Sequence, residues 1–226
     1  MSTRVSTRVR TRVWRHPPSG RTVTLVEMAH VARPRFYAAV QALVDRLEDG
    51  GAEVHYEGVE APPPDAHMSD VERALLDRLL TAHHRLYSGM ARITGHVQQL
   101  DHLTVRPHWR NTDITELDLL RALPDPEQYV AEAERSADRV DDLQRDPILR
   151  FWIWAALRIP RFVLGPARDW QGDVDGDKAA TVAARNTAAV RAVLATDRDV
   201  VALWGTAHHA GIGHGLREAG FQAVAP

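Results

Sequence analysis

Two stretches of this chain stop an apolar run of strand length at the same dipeptide, and that repetition limits the fold more than any other feature. The first is Thr22-Val-Thr-Leu-Val-Glu-Met-Ala-His30 and the second is Asp199-Val-Val-Ala-Leu-Trp-Gly-Thr-Ala-His208. Each is followed by a helical pattern and then another apolar run: Arg35 to Glu48 and Val54 to Val59 after the first, Ile212 to Ala219 and Phe221 to Val224 after the second. Strand, helix and strand in that order make a parallel arrangement with a right-handed crossover. The expectation is an α/β fold with a mostly parallel central sheet built from two strand–helix–strand units and a helical insertion between them. Ligands gather at the carboxyl ends of strands in such sheets, which places His30 and His208 where chemistry occurs.

A chain of 226 residues is long enough for one α/β domain. Residues 1–12 repeat Thr-Arg-Val and read as a basic, low-complexity arm, leaving 13–226 as a single domain with its insertion at about 69–164. Val13 to His16 is expected to pair with Thr22 to Val26 through Pro17-Pro-Ser-Gly20. Phe36, Val40, Leu43, Val44 and Leu47 recur at helical spacing before Gly50-Gly51, and the strand Glu53 to Glu57 follows. In the insertion, Ser69-Asp-Val-Glu72 has the spacing of a capping box. Asp113-Ile-Thr-Glu116 also reads as a helix start, which is a sufficient structural explanation for Asp113. Pro126 to Gln144 reads as an amphipathic surface helix. From Ile148 to Leu164 the chain is at its most apolar, with Trp152 and Trp154 needing cover, and a homo-oligomer through this Trp-rich helix is one way to supply it.

Charge is nearly balanced, 28 Lys and Arg against 30 Asp and Glu, so no nucleic-acid partner is expected. No apolar run has the length and freedom from charge of a membrane span, and no signal peptide begins the chain, so a cytoplasmic location is expected. The absence of cysteine removes disulfides, thiolate catalysis and sulfur-ligated metals, leaving His and carboxylates as the strong side-chain ligands.

If the two units share one sheet, His30, His208 and Glu57 converge at neighbouring strand ends. Two imidazoles and a carboxylate are the ligand types of an open catalytic site for a divalent metal, with Mn, Co and Zn suited to it. Such a metal acidifies its water enough to attack a carbonyl, while a second carboxylate moves the proton, a role assigned to Glu60. Local hydrogen bonds are the competing explanation for these histidines. His209 and His214 stand close enough in sequence to orient a ligand or meet substrate. Arg185, beside Asn186, reads either as a clamp for a substrate carboxylate or as a structural ion-pair partner.

Tyr56-Glu57, Arg185-Asn186 and Gly205-Thr-Ala-His208 together resemble the TraB/Tiki family, within the group that contains erythromycin-esterase-like and ChaN-like proteins. The likeness runs through 23–60 and 184–224, and His108-Trp-Arg-Asn-Thr-Asp113 is similar to a segment of some bacterial members. It implies a metal-dependent hydrolase of a peptide, amide or ester bond, acting on a peptide or small molecule with a metal-bound water as nucleophile. The alternatives are a non-catalytic binder of haem, metal or a small peptide signal, and a scaffold whose arm and Trp-rich helix bind partners. The first motif departs from the family pattern, reading Glu27-Met-Ala-His30 where the family has Gly first. Glu27 then either adds a carboxylate to the site or points to the other face of its strand.

Overall fold

The computed structural model describes residues 9–59, 61–63, 65–148 and 177–224. The readings placed on 1–8, on Glu60 and on Trp152 to Leu164 lie outside these residues. Two compact units divide the chain: residues 1–60, 99–114 and 182–226 form one, and residues 61–98 and 115–181 the other. Residues 99–114, inside the span read as an insertion, belong to the first unit.

The first unit is a mixed α/β arrangement around a six-stranded sheet. Its strands are β1 (Thr11–Arg15), β2 (Thr22–Met28), β4 (Glu53–Tyr56), β6 (Arg110–Asn111), β7 (Val200–Gly205) and β8 (Gln222–Ala223), in the spatial order β6-β4-β7-β2-β1-β8. Two further strands, β3 (Val31–Ala32) and β5 (Val97–Gln98), are outside this sheet. The pairs β6/β4, β4/β7 and β7/β2 are parallel, whereas β1 runs antiparallel to both β2 and β8. Three consecutive parallel pairs therefore bring the carboxyl ends of β2, β4, β6 and β7 to one edge.

The β1–β2 hairpin turns where Gly20 takes φ 75° and donates its N–H to His16 O, a conformation that suits a residue without Cβ. Its register pairs Thr11 with Val26 and Arg12 with Leu25. The arm read as 1–12 is thus shorter, because Thr11 and Arg12 already belong to the ladder and Arg10 O accepts from Glu27 N.

Strand alternation divides the core between two faces. On one, Val23, Leu25, Val200, Ala202 and Trp204 pack with Trp14, Phe221, Ala189 and Val193 of helix α5 (Asp177–Leu194) and Ile212 and Leu216 of helix α6 (His209–Glu218). Val26, Val54, Val201 and Leu203 alternate to the other, and helix α1 (Pro34–Asp49) packs on β4 and β7 while burying Tyr37, Val40 and Val44. The buried stripe of α1 is centred on Tyr37 rather than Phe36, because the Tyr37 hydroxyl reaches Ala29 O at 2.7 Å. Gly50 caps α1, and Gly51, at φ 96°, turns the chain into β4.

In the second unit, helix α2 (Asp70–Thr94) opens with the capping box read from the sequence: Glu72 N donates to Ser69 Oγ at 3.2 Å, and Ser69 N to Glu72 Oε2 at 2.8 Å. Helix α4 (Pro126–Arg145) packs along α2, with Arg78 bridging Glu127 and Glu134, and Arg85 bridging Asp138 and Asp141. The short helix α3 (Glu116–Ala122) is capped by Thr115, whose side chain accepts from Asp118 N. Asp113 is therefore not the cap. Among the described residues no helix is long and apolar enough to cross a membrane.

Candidate functional site at the strand ends

Glu57 follows the last residue of β4 and still donates its N–H to Leu203 O of β7, at 2.9 Å. That ladder bond fixes the residue at the sheet edge, with its carboxylate directed along the end of β7. There the N–H of Gly205 donates to Glu57 Oε2. A Cβ at position 205 would stand 3.1 Å from the same oxygen, tighter than an ordinary contact, so glycine leaves the carboxylate room at this point. The other oxygen, Oε1, accepts from Arg185 Nη2 at 2.7 Å.

Arg185 stands in the middle of α5 and grips a second carboxylate. Its Nε donates to Asp113 Oδ1 at 2.9 Å and its Nη2 to Asp113 Oδ2 at 2.5 Å, the two-pronged geometry that a planar guanidinium favours. Short β6 delivers Asp113 to this position by pairing with β4, Tyr56 opposite Asn111, after which Thr112 N donates to Tyr56 O at 3.2 Å. Asn111 then shapes the turn: its amide donates to Gly58 O, and its Oδ1 accepts from Asp113 N at 3.0 Å. The Asp113 side chain is fully buried, Glu57 is 8% exposed and Arg185 15%, so the triad is largely shielded from water.

His208 ends a short 3₁₀ turn, Thr206–His208, between β7 and α6. Its Nδ1 lies 2.8 Å from Asn186 Oδ1. With the Asn186 amide in this orientation its oxygen accepts from Nδ1–H of a neutral ring, which leaves the lone pair on Nε2. That Nε2 faces Glu57 Oε1 at 3.6 Å. Beneath both lies the fully buried Trp204 ring, 5.0 Å from the His208 ring edge to face and 5.8 Å from the Arg185 guanidinium carbon. His30 follows the end of β2 and is held by its backbone, Gln99 N donating to His30 O at 2.9 Å.

Electrostatics tie the three residues together. His30 is exposed at the surface, yet desolvation by the protein around it lowers its pKa, with the Glu57 charge opposing and the Arg185 charge reinforcing the shift. Burial lowers that of His208 in the same way, again with Glu57 opposing and Arg185 reinforcing. For Glu57, burial alone would raise the value, but Arg185, His208, the Gly205 N–H and His30 together hold it below the usual carboxylate range. At neutral pH the cluster contains two carboxylates, one guanidinium and neutral imidazoles, a net charge of one minus.

The structure places the sequence-chosen residues unevenly. Glu57, His208, Arg185 and Asn186 meet, and His30 shares their field. His209 does not join them: it is buried, its Nε2 donating to Trp204 O at 3.0 Å, because adjacent residues on a helical turn point in different directions. His214 is exposed on α6 and pairs with Glu218 at 3.3 Å. Glu27 lies on the strand face shared with Val23 and Leu25, 4.0 Å from Arg10, and its charge acts on His209. Asp113 and Trp204 are the members that sequence reasoning missed. The likeness of the segment ending at Asp113 to bacterial family members was the available signal for the first, and Trp204 carried none beyond its place in an apolar strand. Among the described residues no three His, Asp or Glu side chains stand as a ready ligand set for a metal ion. No family model, curated protein or solved structure matches the chain.

Proposed function

We propose that this chain is a TraB/Tiki-like metal-dependent hydrolase of a peptide, amide or ester bond, in which Glu57 and His208 hold a divalent metal and His30 completes the set. One observation carries the reading: His208 Nε2 faces Glu57 Oε1 at 3.6 Å, and with Nδ1–H given to Asn186 Oδ1 both of these atoms are acceptors. Two acceptors so placed repel unless a cation stands between them. Ligand atoms about 2.1 Å from one tetrahedral centre are roughly 3.4 Å apart, so this pair needs little adjustment. The net negative charge of the cluster suits a cation as well. His30, at the end of β2 and within the field of Glu57 and Arg185, is the third ligand in this reading.

A divalent metal supplies Lewis acidity and a water acidic enough to attack near neutral pH. The chain's own residues do the rest. Arg185 keeps Glu57 ionised and oriented, Asp113 keeps Arg185 in place, and Gly205 anchors the second carboxylate oxygen. Glu60 retains the role of proton carrier in this proposal. The two strand–helix–strand units, β2–α1–β4 and β7–α6–β8, are its structural frame. A binder that does not turn over substrate is the second reading, favoured by the engagement of both Glu57 oxygens by Arg185 and Gly205.

Protein purified without added metal, analysed for Mn, Co and Zn and then titrated with each, tests the proposal. One ion per chain and turnover within a panel of peptides, amides and esters are expected, both lost in His208→Ala and Glu57→Ala. Stoichiometric metal without turnover selects the binder, and no metal binding overturns the site.

A further inference from the structure

The hydrogen bond that orients His208 depends on a residue that has no side chain. Asn186 lies across the backbone of α6 at Gly211. A Cβ built there would stand 2.9 Å from Asn186 Cγ and closer still to Nδ2, a separation that real side chains do not tolerate. Any side chain at 211 must therefore push the amide away. The amide is the group whose oxygen receives the proton of His208 Nδ1 at 2.8 Å. Two other glycines of the same helix act differently: Gly213 makes room for Trp14 and Gly215 for Val190, both apolar contacts of the core. Gly211 alone of the three faces a polar group of the strand-end cluster.

We propose that Gly211 and Asn186 are positioning residues that together fix His208 as the Nδ1–H tautomer, with the Nε2 lone pair turned to Glu57. This rests on the reading of His208 as a ligand, and it gives Asn186 a role other than contact with substrate. The physical reason is selection between two neutral forms of imidazole. In water the two tautomers interchange freely, and a ligand must be captured from the form whose lone pair points at the ion. An acceptor held against Nδ1 removes the other form before any ion arrives. The amide can hold its oxygen there only while α5 and α6 approach to glycine distance.

The test is carried out on the full chain, metal-free, with ¹⁵N-labelled histidine. Two-bond nitrogen–carbon-proton spectra distinguish a protonated from an unprotonated ring nitrogen, and His208→Gln assigns the signal. The wild type is expected to show Nδ1 protonated and Nε2 bare. Asn186→Ala and Gly211→Ala are both expected to give the mixture found for free imidazole, whereas Asn186→Asp, which keeps an acceptor, restores the wild-type pattern. Zinc titration is the second readout: Asn186→Ala should weaken binding by about 10–100-fold and Asn186→Asp should not. A wild-type His208 protonated at Nε2 overturns the proposal. So does an unchanged tautomer in Asn186→Ala, whatever becomes of Gly211→Ala. A wild type that shows the Nδ1–H form yet binds no zinc upholds the tautomer assignment and removes the metal-hydrolase reading instead.

Discussion

Removing the carboxylate of Asp113 should damage this protein more than a helix cap would suggest. Its side chain is fully buried and accepts two of the three hydrogen bonds that the Arg185 guanidinium gives to carboxylates of the cluster, at 2.9 and 2.5 Å. In Asp113→Ala the guanidinium keeps only Glu57 among these carboxylates, at 2.7 Å, on a side chain that is 15% exposed in the wild type. Breaking a buried pair from one side costs about 3–5 kcal/mol, since the remaining charge has lost its partner. For a chain of this size that corresponds to a fall in melting temperature of roughly 6–20 °C. Asp113→Asn keeps the volume and one acceptor but loses the charge, and should cost about 1.5–3 kcal/mol. The double variant Asp113→Leu with Arg185→Met removes both charges, so its loss should fall short of the summed single losses by about 0.5–3 kcal/mol. Equilibrium denaturant unfolding with a parallel thermal scan measures these three, together with the single variants Asp113→Leu and Arg185→Met that complete the cycle. An Asp113→Ala protein within about 1 kcal/mol of wild type, or strictly additive losses in the double variant, would refute the buried-triad argument.

Three further outcomes follow from the same geometry. Deleting residues 1–12 should lower the melting temperature measurably, because Thr11 and Arg12 pair with Val26 and Leu25; an unchanged value would show that these ladder residues contribute nothing. His55, His208 and His209 are buried and have pKa values held below 6.5, chiefly by desolvation. The unfolded chain therefore binds these protons more readily, so stability is complete above about pH 6.5 and falls as pH drops towards the folded-state values, by up to ~1.4 kcal/mol per unit for each histidine. Denaturant midpoints that stay level between about pH 7 and pH 5 would contradict it. Trp204→Ala should cost about 3–5 kcal/mol, as the ring is fully buried beneath His208 and Arg185, and a loss under about 1 kcal/mol would deny it that place.

What the amino-acid sequence determined by itself was local. The Ser69 capping box, the Pro17–Gly20 hairpin turn, the stop of α1 at Gly50-Gly51 and the two runs ending at Ala-His are written in neighbouring residues, because caps, turns and strand periodicity act within a few positions. They were enough to set Glu57, His30 and His208 at strand ends. Tertiary structure decided what those ends meet. Asp113 has the spacing of a cap, yet Thr115 takes that task and Asp113 turns to an arginine 72 positions away, because pairing of β6 with β4 carries it there. His208 and His209 are alike in sequence, and only the direction of a 3₁₀ turn sends one to Glu57 and the other to a buried carbonyl. Gly211 is an ordinary helix glycine until α5 brings Asn186 across it. The strand ends were legible because periodicity is a property of neighbours, and the charge network was not, because it joins residues through a packing that no short stretch encodes.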